Sequence, residues 1–342
     1  MNFLKNKSIL ITGGTGSFGS KLLSYLLNLK KNRPKKVIVF SRDELKQSEL
    51  SRIFSQKDYP EVRFFLGDIR DKQRLKMAFE DVDYIIHAAA LKQVPTAEYN
   101  PIEFIKTNVI GSQNIIEAAI EKNVKKVIAL STDKASSPIN LYGATKLCAD
   151  KLFLSANTLV GKKTTIFSVV RYGNVFGSRG SVIPFFLDLV KKRKKLIITD
   201  PNMTRFNIYI DDAVKLVINA IKTSAGGEIF VPRIPSYKIM DIVRALQDKD
   251  NVNIVGIRPG EKLHEELISN SEGYNTFDMG KYYIIAGNQK SINFYTKKKY
   301  KKIKTGKNYN SLDNPDFLTV KELKKLIKNY KKKIKLEIQQ FI

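Results

Sequence analysis

The sequence predicts a doubly wound α/β fold, in which helices cover both faces of a mostly parallel sheet, with a smaller domain after it. Three observations support this prediction. Short apolar runs recur along the first half of the chain, helix-period segments separate them, and a glycine-rich turn follows the first run. The apolar runs lie at residues 8–12, 36–40, 62–66, 84–87, 126–130 and 164–170.

The first five of these runs are short and apolar, as is typical of strands that are buried on both faces of a parallel sheet. The segments between them, such as residues 103–121, carry apolar residues at helical spacing. They therefore supply the crossover helices, which make the connections between parallel strands right-handed.

The turn after the first run has the glycine spacing of a dinucleotide-binding fingerprint. Strand, glycine turn and helix follow one another in the required order, with helical spacing over residues 21–29. Glycines at three positions permit a tight turn, close approach of a pyrophosphate to the backbone, and close packing of helix on strand. We expect the cofactor to contact Gly13, Thr15, Gly16, Ser17, Phe18 and Gly19.

The end of the second run favours NADP over NAD. Arg42 and the Ser41 hydroxyl suit a 2′-phosphate, with Lys46 as a second cation, whereas Asp43 keeps NAD open as an alternative. Further along, small or short side chains follow the third and fourth runs, where the chain passes close to the cofactor. We expect further cofactor contacts from Asp68, Ile69, Ala88, Ala89 and Ala90.

Beyond Arg171, glycines and prolines break the chain into shorter pieces, and the alternation of helix and strand fades. We therefore predict an NADP-binding Rossmann domain over residues 1–171, mainly a substrate-binding domain over 172–296, and a basic segment with a helix over 297–342. Strands near residues 164 and 228–231 are expected to return to the main sheet.

The composition argues against a membrane-spanning, secreted or metal-binding protein. The chain has 342 residues, of which 43% are hydrophobic, and no apolar run reaches the roughly 20 residues of a membrane span. The first ten residues lack the apolar region of a signal peptide, so we expect a cytoplasmic protein. One cysteine and two histidines, His87 and His264, make a metal site a poor prediction, and acid–base work must fall to carboxylates, lysines and tyrosines.

The net charge of +27 is compatible with anionic partners, including nucleic acid, but no RNA-binding motif or zinc finger accompanies it. We interpret the lysines as a solvated surface and expect no nucleic acid partner. A helix-period stripe follows residue 320, and packing on its own domain or on a neighbouring subunit is favoured over membrane binding. With it we expect a homo-oligomer. The stripe consists of Leu323, Leu326, Ile327, Tyr330, Ile334, Ile338 and Phe341.

A block from Ser131 to Lys146 concentrates proton donors and acceptors at the end of a predicted strand. Tyr142 and Lys146 are spaced i and i+4 and therefore share one helix face. A neighbouring ammonium and a positive nicotinamide favour the phenolate, so Tyr142 is expected to act as a base. Asp133 and Lys134 add an acid and an amine where ligands of α/β sheets bind.

These features resemble the extended short-chain dehydrogenase/reductase family. Within it, the segments 90–95, 131–146, 171–175, 177–181, 203–206 and 258–265 are similar to the inverting UDP-N-acetylglucosamine 4,6-dehydratases that begin pseudaminic acid synthesis. Retaining relatives commonly carry methionine at the position of Tyr142. Ser136 and Ser137, and the basic tail beyond residue 297, depart from the pattern.

The resemblance implies a lyase in which NADP is a recycled hydride carrier. Tyr142 takes the proton from the sugar 4-hydroxyl as hydride leaves C4, and Thr132 binds the same oxygen. Lys134 is then the base at C5 and Asp133 the acid for the departing C6 hydroxyl, while hydride returns to C6. These two roles require a lowered lysine pKa and a raised aspartate pKa in a poorly solvated site.

The substrate implied by the resemblance is UDP-N-acetylglucosamine. Arg205 and Arg258 are the expected partners of its diphosphate, because a guanidinium makes bidentate contacts with phosphate. Further substrate contacts are expected from Lys92, which also faces the cofactor, and from Asn174, Ser181 and Val182.

Several alternatives remain open from the sequence. A UDP-sugar 4-epimerase would use the same fold and the same Tyr142–Lys146 pair but needs no acid–base pair at C5 and C6. A retaining 4,6-dehydratase is a second alternative. Outside enzymes, the chain could be a dinucleotide sensor or a nucleic-acid-binding protein, although the intact tyrosine–lysine pair argues against a sensor.

Overall fold

The computed structural model of the protein describes residues 2–247, 251–303 and 306–339, without the side chains of Lys333 and residues 335–339. The strands are β1 (Ser8–Thr12), β2 (Lys36–Ser41), β3 (Val62–Leu66), β4 (Tyr84–His87), β5 (Lys126–Thr132), β6 (Ile166–Tyr172), β7 (Asn174–Val175), β8 (Leu196–Ile198), β9 (Thr204–Ile208), β10 (Glu228–Pro232), β11 (Ser236–Lys238), β12 (Val252–Ile254), β13 (Glu266–Ile268), β14 (Thr276–Asp278), β15 (Tyr282–Ala286) and β16 (Tyr309–Asn310).

The helices pack on both faces of the main sheet and around the later part of the chain. They are α1 (Ser17–Leu27), α2 (Glu44–Ile53), α3 (Lys72–Ala78), α4 (Val94–Tyr99), α5 (Pro101–Phe104), α6 (Gly111–Glu121), α7 (Leu141–Leu159), α8 (Val182–Lys191), α9 (Ile210–Thr223), α10 (Ile239–Leu246), α11 (Asn270–Gly273), α12 (Gln289–Lys297) and α13 (Val320–Gln339). A π-helical segment, Ile105–Ile110, joins α5 to α6.

Within the described residues, nine strands form the main sheet in the order β14-β15-β10-β6-β5-β4-β1-β2-β3. All neighbours from β3 to β10 pair in parallel, and β15 and β14 complete the edge in antiparallel pairing. The strand order reverses between β1 and β4, which creates the crevice at the carboxyl ends of the strands where such folds bind ligands. The predicted doubly wound fold is confirmed.

Two central strands are longer than the apolar pattern indicated. The sequence predicts ends at residues 130 and 170, but β5 and β6 continue in register, with Ser131 paired to Arg171 and Thr132 paired to Tyr172. Backbone pairing can extend through these residues because the polar side chains of Ser131, Thr132 and Arg171 form hydrogen bonds within the fold. One example is the bond from Ser131 Oγ to Asp150 Oδ2 at 2.8 Å.

The described residues after β6 form three small sheets and a second apolar core. The sheets pair β11-β9-β7, β12-β8 and β13-β16. The core collects residues of α8, α10 and α13, among them Ile183, Phe186, Ile242 and Leu323. The predicted return of later strands to the main sheet is seen for β6 and β10.

Helix α13 packs on its own chain. Leu323 and Ile327 are buried, and Leu326 and Tyr330 pack against the same second core. This is one of the two packing arrangements favoured for the apolar stripe. Its Ile338 side chain and Phe341 lie outside the described residues. Among the described helices, none is both long enough and apolar enough to cross a bilayer.

We predict that Leu323→Ala destabilises the protein by about 2–5 kcal/mol, because it opens a cavity in the second core. Leu45→Ala is the matched control, since Leu45 is 70% exposed and its truncation should change the free energy of unfolding by less than about 0.5 kcal/mol. Urea denaturation measures both variants. Equal effects would show that α13 is not part of the folded body.

Candidate active site

A cavity of about 1020 Å³ lies at the carboxyl ends of the parallel strands. A second cavity of about 530 Å³ adjoins it, and the two share lining residues that include Gly13, Ser17 and Lys92. The first cavity is lined by residues at the ends of β5 and β6, such as Thr132 and Tyr172, and the second by the end of β2. Together they provide room for a dinucleotide and a second ligand.

The glycine turn forms a cradle that a side chain would fill. Gly13 has a φ of +63°, and a Cβ atom there would lie 2.8 Å from the Ala89 nitrogen. A Cβ atom on Gly19 would lie 2.5 Å from the Gly14 Cα. Gly16 is the N-cap of α1, so the turn and the positive end of the helix face the cavities, as binding of a pyrophosphate requires. The residues fit a dinucleotide.

The second cavity gathers the residues predicted to hold the adenosine half. It is lined by Thr15, Ser41, Arg42, Lys46, Asp68, Ile69, Ala88, Ala89 and Ala90. The side chain of Arg42 is 55% exposed, and its Nη1 lies 3.7 Å from Asp68 Oδ2. Lys46 is instead paired with Asp43, which also caps α2 and accepts from the Lys46 backbone N–H. Both carboxylate oxygens of Asp43 are therefore engaged, and Arg42 is the less constrained cation.

Arg179 is a residue of this region that sequence reasoning missed. Its Nη2 donates to the Thr15 carbonyl at 2.6 Å, and Lys92 Nζ donates to the Arg179 carbonyl at 3.0 Å. The loop after β7 is thereby attached to the glycine turn. Arg179 lies in the segment 177–181, which carries part of the family resemblance. No local sequence pattern indicated that its side chain would reach the cofactor cavity.

Tyr142 and Lys146 lie on the buried face of α7 and line the first cavity. Lys146 Nζ donates to the Leu130 carbonyl at 2.7 Å. Burial raises the pKa of Tyr142 to about 12, against the opposing effects of Lys134 and the Thr132 hydroxyl. Burial therefore has the largest effect on the pKa of Tyr142. Lys146 does not favour the expected phenolate in this geometry, because its amine donates to the backbone.

Asp133 is wholly buried at the start of a 3₁₀ turn, Asp133–Ala135, immediately after β5. Its Oδ1 accepts from Thr132 Oγ1 at 2.9 Å and from Lys134 Nζ at 3.1 Å. Burial raises the pKa of Asp133, in the direction the sequence predicted. The carboxyl lies behind the cavity wall beside Gly173, and Thr132, which lines the cavity, connects it to that space.

Lys134 lines the first cavity, but the predicted direction of its pKa is wrong. Its Nζ lies 3.1 Å from Asp133 Oδ1 and 3.0 Å from Glu265 Oε1. Burial lowers the pKa of Lys134, but attraction to these two carboxylates outweighs burial and leaves the pKa raised above 10.5. The sequence argument counted the desolvation of Lys134 and did not foresee Glu265.

The segment 258–266 holds the turn that carries Lys134. Lys262 Nζ donates to the Ser136 carbonyl at 2.8 Å, and Asn140 Nδ2 donates to the Gly260 carbonyl at 2.7 Å. Ser136 and Ser137, the departures noted in the sequence, both donate to Glu266 Oε2. These contacts fix the turn Asp133–Ala135 against the later part of the chain.

The residues predicted to contact substrate all line the first cavity, namely Lys92, Asn174, Ser181, Val182, Arg205 and Arg258. Arg205 is already engaged. Its Nη1 donates to the Leu263 carbonyl at 3.0 Å, its Nη2 donates to the Lys262 carbonyl at 3.0 Å, and its Nε lies 3.8 Å from Glu265. Arg258 is exposed and is therefore the more available partner for a diphosphate.

The fold and the cavities are those of a class of dinucleotide-binding enzymes. In this chain the site holds the Tyr142–Lys146 pair and, beside it, the acid–base pair Asp133 and Lys134. The family model described as "Polysaccharide biosynthesis protein" matches residues 9–287, and the chain belongs to this family. An inverting UDP-N-acetylglucosamine 4,6-dehydratase of Campylobacter jejuni subsp. jejuni is 52% identical over 330 residues, which cover 94% of this chain and 97% of the relative. This confirms the resemblance predicted from the sequence.

Other relatives carry different names. A UDP-glucose 4-epimerase of Rickettsia bellii is 42% identical, over 95% of this chain and 96% of its own length. The X-ray structure of Pen from Bacillus thuringiensis has a TM-score of 0.86 and 38% identity, covering 96% of this chain and 99% of that chain. Overall similarity alone therefore does not separate a dehydratase from an epimerase.

We predict that Gly13→Ala weakens dinucleotide binding by on the order of tenfold or more, because the added methyl group would meet the Ala89 backbone. Gly161→Ala is the matched control. Gly161 has a similar φ of +58° but has nothing within 4 Å of its Cβ position, so the variant should lose about 1–2 kcal/mol of stability and keep its dinucleotide affinity. Titration calorimetry compares them, and equal loss of affinity would contradict the cradle.

Proposed function

We propose that this protein is a lyase, an inverting UDP-N-acetylglucosamine 4,6-dehydratase, that removes water across C5 and C6 of the sugar. The observation that carries the proposal is a second acid–base pair beside the cavity that Tyr142 and Lys146 line, with Lys134 in the cavity wall and Asp133 directly behind it. Tyr142 and Lys146 serve oxidation at C4, and Asp133 and Lys134 serve elimination across C5 and C6. An epimerase requires the first pair alone.

Each proposed role follows from where the group lies. The positive charge of a bound nicotinamide would oppose the effect of burial and favour the Tyr142 phenolate. Tyr142 then accepts the proton of the sugar 4-hydroxyl, and the Thr132 hydroxyl holds that oxygen. Oxidation at C4 acidifies the C5 proton, which Lys134 takes, and Asp133 protonates the departing C6 hydroxyl. A bound nicotinamide would supply reversible hydride transfer from C4 to C6, and a proton added to C5 from the opposite face completes the inverted 4-keto sugar, so no net oxidation occurs. Burial raises the pKa of Asp133 and so favours the acid form that this step needs.

The proposal also covers the residues that bind the substrate and the use of the product. The nucleotide diphosphate is assigned to Arg258, with Arg205, Lys92, Asn174, Ser181 and Val182 forming the rest of the cavity wall. We also propose that the product enters pseudaminic acid synthesis, as the resemblance implies. The cytoplasmic location, the homo-oligomeric state, the absence of a nucleic acid partner and the domain boundaries remain predictions.

Incubation of the full-length protein with UDP-N-acetylglucosamine, without added reductant, tests the reaction. We expect a product lighter by one water, with a keto group at C4. In deuterated water, proton NMR should show deuterium at C5 and ring couplings of the inverted configuration. An isobaric product would instead identify a 4-epimerase, and retained configuration at C5 would identify a retaining dehydratase.

We further propose NADP as the cofactor, supported by the exposed guanidinium of Arg42 at the second cavity. Arg42→Ala should weaken NADP binding by roughly 10- to 100-fold, because a charged hydrogen bond contributes about 1.5–3 kcal/mol, and should leave NAD binding unchanged. Arg52→Ala, at the far end of α2, is the control. Equal affinities of the Arg42→Ala variant and the native protein for NADP would favour NAD as the cofactor.

A further inference from the structure

Lys134 poses a problem for the proposed reaction. Its ammonium is held between two buried carboxylates, at 3.1 Å from Asp133 Oδ1 and 3.0 Å from Glu265 Oε1. An amine in this position is protonated, yet a base at C5 must be neutral. The ammonium proton must therefore move to an acceptor before Lys134 can act.

The geometry leaves Glu265 as that acceptor. Asp133 must carry a proton of its own to donate to the C6 hydroxyl, so it cannot take one from Lys134. Glu265 lines the first cavity and is 2% exposed, and its Oε2 has no hydrogen-bond partner among the described residues. Oε1 is therefore the atom placed to receive the Lys134 proton, and the unpaired Oε2 lies where bulk water does not reach.

Glu265 is also held firmly in place. Its backbone N–H donates to Ser311 Oγ at 2.9 Å, and its backbone carbonyl accepts from the Ser311 N–H at 2.8 Å. The guanidinium Nε of Arg205 lies 3.8 Å from Glu265 Oε1. This cation stabilises the carboxylate form, so Glu265 returns its proton readily after the reaction.

We propose that Glu265 is a positioning residue that takes one ammonium proton from Lys134 and so frees the amine to act at C5. The proton moves along the 3.0 Å contact, the ion pair becomes a neutral amine and a carboxylic acid, and the amine then accepts the C5 proton. The bond electrons of C5–H pass into the sugar as the C6 hydroxyl leaves with the proton of Asp133. This inference rests on the proposed function.

The test is Glu265→Gln in the full-length protein, which keeps the shape of the side chain but removes the acceptor. We expect exchange of the C5 proton with deuterated solvent to fall by roughly a hundredfold or more, the usual contribution of a positioned proton-transfer group. Reduction of the bound dinucleotide, which reports oxidation at C4, should stay within about threefold of the native rate, because Tyr142 and Lys146 are untouched. Glu265→Asp should restore part of the exchange.

The pH dependence separates a proton acceptor from a structural residue. In the native protein the transfer is internal, so C5 exchange should vary little between about pH 7 and 9. In Glu265→Gln the proton must leave to solvent, so the exchange rate should rise by about tenfold per pH unit. The titratable and charged groups that face the pair are the same in both proteins, namely Asp133, Tyr142, Arg205, Tyr237 and Lys262.

Glu80→Gln, at a surface residue paired with Lys122, is the matched control and should behave as the native protein. Native-like exchange in Glu265→Gln, or equal loss of C4 oxidation and C5 exchange with an unchanged pH slope, would overturn the inference. A native protein that does not dehydrate the sugar would instead overturn the proposed function, so the two failures are distinguishable.

Discussion

The ion cluster around Lys134 is the interaction on which the rest of the site depends. An ammonium that is largely removed from solvent is costly unless carboxylates compensate it, and Asp133 and Glu265 provide that compensation at 3.1 and 3.0 Å. The same contacts set the protonation state of the two groups proposed to act at C5 and C6. Stability of the turn after β5 and chemistry at the cavity are therefore coupled through one set of charges.

The residues that form and support this cluster come from parts of the chain that are far apart in sequence. Glu265 belongs to the segment that also binds Ser136 through Lys262, and it is anchored by Ser311. Ser311 lies in the basic tail, which looks like an appendage by composition alone. Its hydroxyl also hydrogen-bonds Thr204 Oγ1 at 2.7 Å, next to Arg205. The tail thus helps to hold Glu265, the partner of Lys134, in place.

Much of the fold could be predicted because its signals are local. Apolar runs located the strands of the parallel sheet, and the glycine spacing located the cradle at Gly13. Prediction failed where long-range contacts decide the outcome. Polar pairing lengthened β5 and β6, Arg179 reached the glycine turn from a distant loop, and Glu265 reversed the expected pKa shift of Lys134. None of these contacts leaves a periodic trace in the sequence, because each joins segments by their tertiary position.

The charge state of Lys134 is the most direct test of this account. Lysine labelled with ¹³C and ¹⁵N, with Lys134→Arg to assign the signal, allows its titration to be followed by NMR in the native protein. The two carboxylates predict that Lys134 remains protonated beyond its ordinary pKa of 10.5. Titration of Lys134 below that value would show that burial outweighs the carboxylates and would contradict the ion cluster as the organising interaction of the site.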